Sequence, residues 1–219
     1  MNITNEKITE YINGFYRPLS KELSELRESA EKDRVPVILR DTEGLIISLL
    51  KTVKPKRLLE IGTAVGYSAS CFAAAAERLE ITSLESDPAM YNAAIKNIAA
   101  LGFSERVNVI AGDARVTMRS LTAGYDIVFI DAAKGQYRVF WDSAIPLCKN
   151  GSIIVSDNVL MKGCAASDEY DPTGRFKTAI RKMREYLDYI CSLDYADSVV
   201  LTVGDGVAIS IIKNMNQEF

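Results

Sequence analysis

Two apolar runs of strand length in this chain end in polar oxygen donors: YDIVFID closes at Asp131, and SIIVSDN closes at Asp157 and Asn158. Near-continuous runs of Val, Ile and Phe mark strands buried on both faces, and such strands belong to parallel sheets covered by helices. An open parallel sheet places its ligand crevice beyond the carboxyl ends of its strands. The two carboxylates and the amide are therefore expected together at one edge. As hard oxygen donors they suit Mg²⁺ better than zinc or copper.

The rest of the chain repeats the alternation. RLLEI (57–61) precedes a predicted helix from Tyr67 to Leu79. ITSLE (81–85) runs into Asp87-Pro88, an N-cap followed by a first-turn proline, and that helix is expected to stop at Gly102. RVNVI (106–110) precedes a short helix, YDIVFID a helix reaching Leu147, and a long helix is predicted over 173–190. SVVLTVG and VAISIIK, joined at Asp205-Gly206, read as a hairpin. Repeated βαβ units predict right-handed crossovers in one parallel sheet, to which the hairpin adds an antiparallel strand. Before them, residues 5–32 are charged and amphipathic with a break at Arg17-Pro18, and a further helix is expected over 41–52. Without a linker or repeat, residues 1–219 read as one domain, with a helical cap (1–53) on a sheet core (54–219).

Composition narrows the chemistry. No histidine occurs among the 219 residues, which removes Ser-His-Asp and Cys-His catalysis and imidazole acid–base chemistry together. A general base must be Lys, Asp, Glu, Tyr or water. A net charge of −3 gives no global attraction to nucleic acid or anionic membrane. The four cysteines form no CxxC pair and read as reduced thiols. With no leader pattern after Met1 and no apolar run of membrane-spanning length, the expected location is the cytoplasm, away from any membrane.

The turn EIGTAVGYS comes after the first strand and opens a helix. A dinucleotide fingerprint needs its second glycine where this chain has Ala64 and its third where it has Tyr67, so NAD fits poorly. A nucleoside cofactor without a pyrophosphate would tolerate this turn. Glu85, closing the second strand, is placed to take both ribose hydroxyls, and Asp113-Ala114 could line an adenine. Ser68 could cap the helix or meet a carboxylate at its N-terminus. Glu60 could meet an ammonium or hold the amides of the turn.

Together these residues resemble the cation-dependent S-adenosylmethionine O-methyltransferases of the catechol and caffeoyl-CoA type, over roughly residues 34–213. LLEIGTAVGYSA is similar to that family's first motif, VFIDAAK to its metal-and-base motif, SDNVL to its second metal motif, and VGDGVAIS to its closing hairpin. The resemblance implies an α/β fold, a Rossmann-like methyltransferase domain whose mostly parallel seven-stranded sheet ends in an antiparallel hairpin strand. By position, Glu60, Gly62, Ser68, Glu85, Ala114 and Asp131 would contact S-adenosylmethionine; Ile38 is matched only by its distance before the glycine turn. Asp131, Asp157 and Asn158 would hold Mg²⁺ or another hard divalent cation, and Lys134 would be the base. A cation there would ease loss of the acceptor hydroxyl's proton.

The acceptor reads less directly. Small-molecule relatives carry Arg-x-Phe-Asn in the helix before the hairpin, whereas Met183 and Arg184 stand at the last two positions here. RFKTAIRKMREYLDY, VPVILRDTEG and DNVLMKG resemble instead the bacterial tRNA 5-hydroxyuridine methyltransferases of the same superfamily. That resemblance makes a wobble hydroxyuridine of tRNA the expected acceptor, with Arg184 on a phosphate; the alternative is a catechol- or caffeoyl-CoA-like small molecule. Lys177, Arg181 and Arg184 lie near one helix face, and Lys51, Lys54, Lys56 and Arg57 form a second basic group. The N-terminal helices are expected to cover the active site or to form the interface of a homodimer.

Overall fold

The computed structural model describes residues 6–213; residues 1–5 and 214–219, including Asn5 at the start of the first predicted helix, lie outside it. In chain order the elements are α1 (Glu6–Asn13), α2 (Lys21–Lys32), α3 (Arg40–Val53), β1 (Arg57–Ile61), α4 (Tyr67–Ala75), β2 (Glu80–Glu85), α5 (Pro88–Ala100), β3 (Val107–Ala111), α6 (Ala114–Thr117), β4 (Tyr125–Ile130), α7 (Tyr137–Ala144), β5 (Cys148–Asp157), α8 (Lys177–Cys191), β6 (Ala196–Leu201) and β7 (Val207–Ile212). The seven strands form one sheet in the order β3-β2-β1-β4-β5-β7-β6. Pairings from β3 across to β5 are parallel, and β7 runs antiparallel to both its neighbours. This is the Rossmann-like α/β sheet with the closing hairpin that the sequence predicts.

Alternation along each strand divides the core between the two faces of the sheet. Leu58, Ile81, Phe129 and Val155 pack with Phe72, Ile46 and Ile98 on one side. Leu59, Leu84, Val128 and Ile154 pack with Trp141, Met183 and Tyr186 on the other. Each such fully buried side chain contributes about 1.5–3 kcal/mol relative to exposure. Among the described residues no helix is long and apolar enough to cross a membrane.

Several element ends move from their predicted places for local reasons. The helix after the glycine turn stops at Ala75 rather than Leu79, because Ala76 turns to an extended conformation and Arg106 takes up the carbonyls of Ala73, Ala76 and Leu79. α7 ends at Ala144, and Pro146 sits in the tighter turn Ile145–Leu147. α8 starts at Lys177 rather than 173, since the Asp171 carboxylate accepts the Phe176 amide and Gly174 adopts φ 64°. The hairpin connection takes residues 202–206, with Gly204 and Gly206 both at positive φ.

Register aligns the carboxyl ends of the strands. Ile61 pairs with both Leu84 and Ile130, Glu85 with Ala111, and Ile130 with Ser156. The loops leaving β1, β2, β3, β4 and β5 therefore emerge along one edge of the sheet. Strand order reverses between β1 and β4, where such sheets open their crevice.

Candidate active site

A cleft of about 630 Å³ opens at that reversal. Its walls come from the segment 36–38, the turn after β1, the ends of β2 and β4, and the starts of α6 and α7. At Gly62 (φ 103°) a Cβ would lie 2.0 Å from the Asp131 carbonyl oxygen, so only glycine lets β1 and β4 end side by side. Ala64 takes a left-handed φ of 48° and donates its amide to Glu85 Oε2 at 2.8 Å. Such a conformation costs a non-glycine residue free energy, and here the carboxylate of the next strand holds it. Glu85 also accepts the Asp87 amide at 2.8 Å, so its carboxylate is fixed at the cleft wall by two backbone donors.

Glu60 sits under the turn that follows β1. It is fully buried beneath the turn, where Ser68 donates to one oxygen at 2.5 Å and Ser83 to the other. Burial pushes its carboxyl up to about 7, against the two serine hydrogen bonds, with Asp131 and Glu85 raising it further. Ser68 itself lines the cleft, as do Gly62, Ile38, Ala114 and Asp113. Asp113 caps α6 through the Arg115 amide and forms an ion pair with the Arg115 guanidinium, which holds its carboxyl down to about 2.

At the other end of the cleft Asp131, Lys134 and Asn158 line the wall, with the fully buried Asp157 next to Asn158. Lys134 Nζ donates to Asn158 Oδ1 at 2.7 Å, to Asp131 Oδ1 at 3.1 Å and to the Tyr137 hydroxyl at 3.1 Å. Tyr137 in turn donates to the Asp157 carbonyl at 2.8 Å. Asp157 is fully buried; one carboxylate oxygen accepts the Asn158 amide, and Oδ2 has no partner among the described residues. Burial, then the charge of Asp131, pushes its carboxyl up to about 8. An orphaned, buried carboxylate oxygen beside a second carboxylate is costly unless it takes up a proton or a cation arrives. The lysine ammonium already lies between Asp131 and Asn158, so the pocket accepts positive charge. Among the described residues no cluster of three or more His, Cys, Asp or Glu side chains could hold a metal. The set here is two carboxylates and one amide carbonyl, which fits a hard cation that keeps part of its shell for water and substrate oxygens.

Asn158 adopts φ 55° and is followed by left-handed Met161 (φ 50°) and Lys162 (φ 57°). The hairpin loop secures this strained run: the Leu160 amide donates to the Asp205 carbonyl at 3.0 Å, the Val159 amide to the Gly206 carbonyl at 2.9 Å, and the Lys162 amide to the Asp205 carboxylate.

Arg184 is not at the cleft. Its guanidinium donates to the carbonyls of Ala165 (2.8 Å) and Cys164 (2.9 Å) and to Asp168 Oδ1 (2.7 Å), fastening the loop after β5. Met183 is buried in the core. Lys51 lies in the last turn of α3, and Lys54 and Lys56 lead from it into the amino end of β1, whereas the cleft lies at the carboxyl end of that strand. Arg57 there is spent on the carbonyls of Thr122 and Ala123. The cleft is also lined by Gln136, Phe140 and Arg115, and the buried Tyr137 supports Lys134 beside it; the sequence singled out none of these. Tyr137 had a signal, one helical turn after Lys134; the others have none without the fold.

The sequence profile of the O-methyltransferase family matches residues 16–213. Among curated proteins the chain is similar to the caffeoyl-CoA O-methyltransferase of Stellaria longipes, 31% identical across 94% of this chain and 90% of that protein. It is also similar to the catechol O-methyltransferase of Mycobacterium tuberculosis, 32% identical across 85% and 84%. Among solved structures, the methyltransferase PaMTH1 of Podospora anserina, with S-adenosylhomocysteine bound, superposes with a TM-score of 0.87 at 25% identity, covering 98% of this chain and 99% of that one.

Proposed function

Because this chain belongs to the O-methyltransferase family, we propose that it moves a methyl group from S-adenosylmethionine to a hydroxyl lying beside a second oxygen, with a divalent cation, Mg²⁺ in the first instance, holding the pair. The observation that carries this reading is the meeting of Lys134, Asp131 and Asn158, with the orphaned Asp157 oxygen buried beside Asn158, at one end of a cleft whose other end is a glycine turn braced by Glu85. The favoured acceptor is a catechol- or caffeoyl-CoA-like small molecule, as the relatives' names suggest.

In the cleft, Glu85 would accept the ribose hydroxyls and Ala114 and Asp113 would flank the adenine. The amino end of α4, with Ser68, would receive the methionine carboxylate. A cation held by Asp131, Asp157 and Asn158 would neutralise the paired carboxylates and favour the ionised acceptor. Lys134, within 3.1 Å of both Asp131 and Asn158, is placed to take the acceptor's proton. Bound there, S-adenosylmethionine would supply the methyl group by in-line displacement, the acceptor oxygen bonding to the methyl carbon as the carbon–sulfur bond breaks with its electron pair kept by sulfur, which would lose its positive charge.

A tRNA hydroxyuridine presents the same oxygen pair, and α8 keeps Lys177 and Arg181 exposed. Against it, Arg184 is committed to the loop after β5, and the second basic group lies at the far end of the sheet. The test is labelled S-adenosylmethionine with Mg²⁺ and either a catechol panel or hydroxyuridine-bearing tRNA. Faster turnover of a catechol, insensitive to salt, is expected. Faster methylation of tRNA, falling steeply with added salt through counterion release, would replace the small-molecule acceptor with RNA.

A further inference from the structure

Outside the site, the most heavily buried charges are Arg27 of α2 (3% exposed) and Glu43 of α3 (1% exposed). Arg27 Nη2 donates to Glu43 Oε2 and to the Ile38 carbonyl, both at 2.7 Å, and Nε donates to the Tyr67 hydroxyl at 3.0 Å. Tyr67 in turn donates to Glu43 Oε2 at 2.8 Å, and Tyr16 donates to Glu43 Oε1 at 2.9 Å. The guanidinium also lies 4.6 Å from the centre of the Tyr67 ring. One arginine thus joins α2, α3, the first residue of α4 and the backbone of the segment between α2 and α3.

That segment matters because Pro36, Val37 and Ile38 form a wall of the cleft, as does Tyr67. A buried ion pair is weak support for stability, since well-packed apolar side chains of similar volume often replace one at no loss. What the fork of a guanidinium adds is geometry: several bonds of fixed direction. We propose that Arg27 and Glu43 are positioning residues, a clamp that holds the 35–39 strap against α4 as a preformed wall for the methyl donor. This rests on the reading of the cleft as the S-adenosylmethionine site. The clamp touches neither the acceptor nor the reacting atoms, so it acts on cofactor affinity and not on the chemical step.

The test is the paired substitution Arg27→Met/Glu43→Leu, which removes both charges and changes no residue that lines the cleft. Thermal stability is expected to stay near that of the parent. Calorimetric affinity for S-adenosylhomocysteine is expected to fall about tenfold, as it must when the strap occupies its bound position only about a tenth of the time. The KM for S-adenosylmethionine should rise with kcat at saturation nearly unchanged, a split that a general loss of structure does not produce. Hydrogen exchange adds a measurement on the unmodified protein: the Val35 amide at the start of the strap, which donates to the Ala30 carbonyl at 2.8 Å, should be protected before any cofactor is added, and the paired variant should lose that protection. A folded variant with parental affinity overturns the clamp. So does free exchange of the Val35 amide in the unmodified protein, which decides the matter even where the variant does not fold. An unmodified protein that binds no S-adenosylhomocysteine overturns the cofactor reading instead, and Val35 exchange then judges the clamp alone.

Discussion

The two ends of the cleft are built on opposite electrostatic principles. At the β1–β2 end every acid is already satisfied: Glu60 by two serine hydroxyls, Glu85 by two backbone amides, Asp113 by its own cap and Arg115. At the β4–β5 end the charges are unbalanced, with an orphaned Asp157 oxygen and a lysine spanning Asp131 and Asn158. The first end is finished by the protein alone and is suited to bind. The second is left for a ligand to finish, and such uncompensated groups gather where chemistry is done. Removing a group should therefore cost binding at one end and rate at the other.

Asp157→Ala should break the comparison most sharply. Turnover is expected to fall by about 10³-fold or more, since a cation's charge stabilisation is worth several kcal/mol, while calorimetric affinity for S-adenosylhomocysteine stays within a few-fold. Loss of cofactor binding in that variant would show that the two ends are not separable.

Lys134→Met comes next, with a fall in kcat of about 10²–10³-fold, inside the range of a general base, and little change in the KM of the acceptor. A small fall would reduce Lys134 to an ion-pair partner of Asp131.

Glu60→Gln sharpens the comparison from the satisfied end. The folded protein holds the Glu60 proton up to about pH 7, whereas the unfolded chain releases it near the ordinary 4.5. Stability from this group is thus full below the lower value and is lost as pH rises toward the higher one, by about 3 kcal/mol at most. Urea unfolding at about pH 5 and about pH 8 should show that slope reduced in Glu60→Gln; an unchanged slope would assign it elsewhere, with buried Asp157 the first candidate. The smallest effect is expected at Glu85→Gln, with affinity for S-adenosylhomocysteine weaker by about tenfold, the scale of a hydrogen bond to a charged acceptor.

The sheet was legible in the sequence because each strand carries its own apolar run and its own terminal residue. Asp131, Asp157 and Asn158 could be placed at one edge from strand ends alone, since register comes from parallel pairing. Loop-borne roles were less legible. Arg184 reads as a free cation on a helix face, and only the path of residues 164–168 shows that it is consumed. Glu60 is placed before the turn by sequence alone, but its bonds to Ser68 and Ser83 emerge only once β1, β2 and α4 are brought together. The Arg27–Glu43–Tyr67 network joins three helices with no periodicity to announce it.

A cation-finished catalytic end is tested most directly by the initial rate of methyl transfer to a catechol, measured with Mg²⁺ and again after the cation is removed with EDTA. Turnover should disappear in EDTA and return when Mg²⁺ is restored in excess. A full rate in EDTA would contradict a role for the metal and leave the unbalanced charges of Asp131 and Asp157 without their ligand.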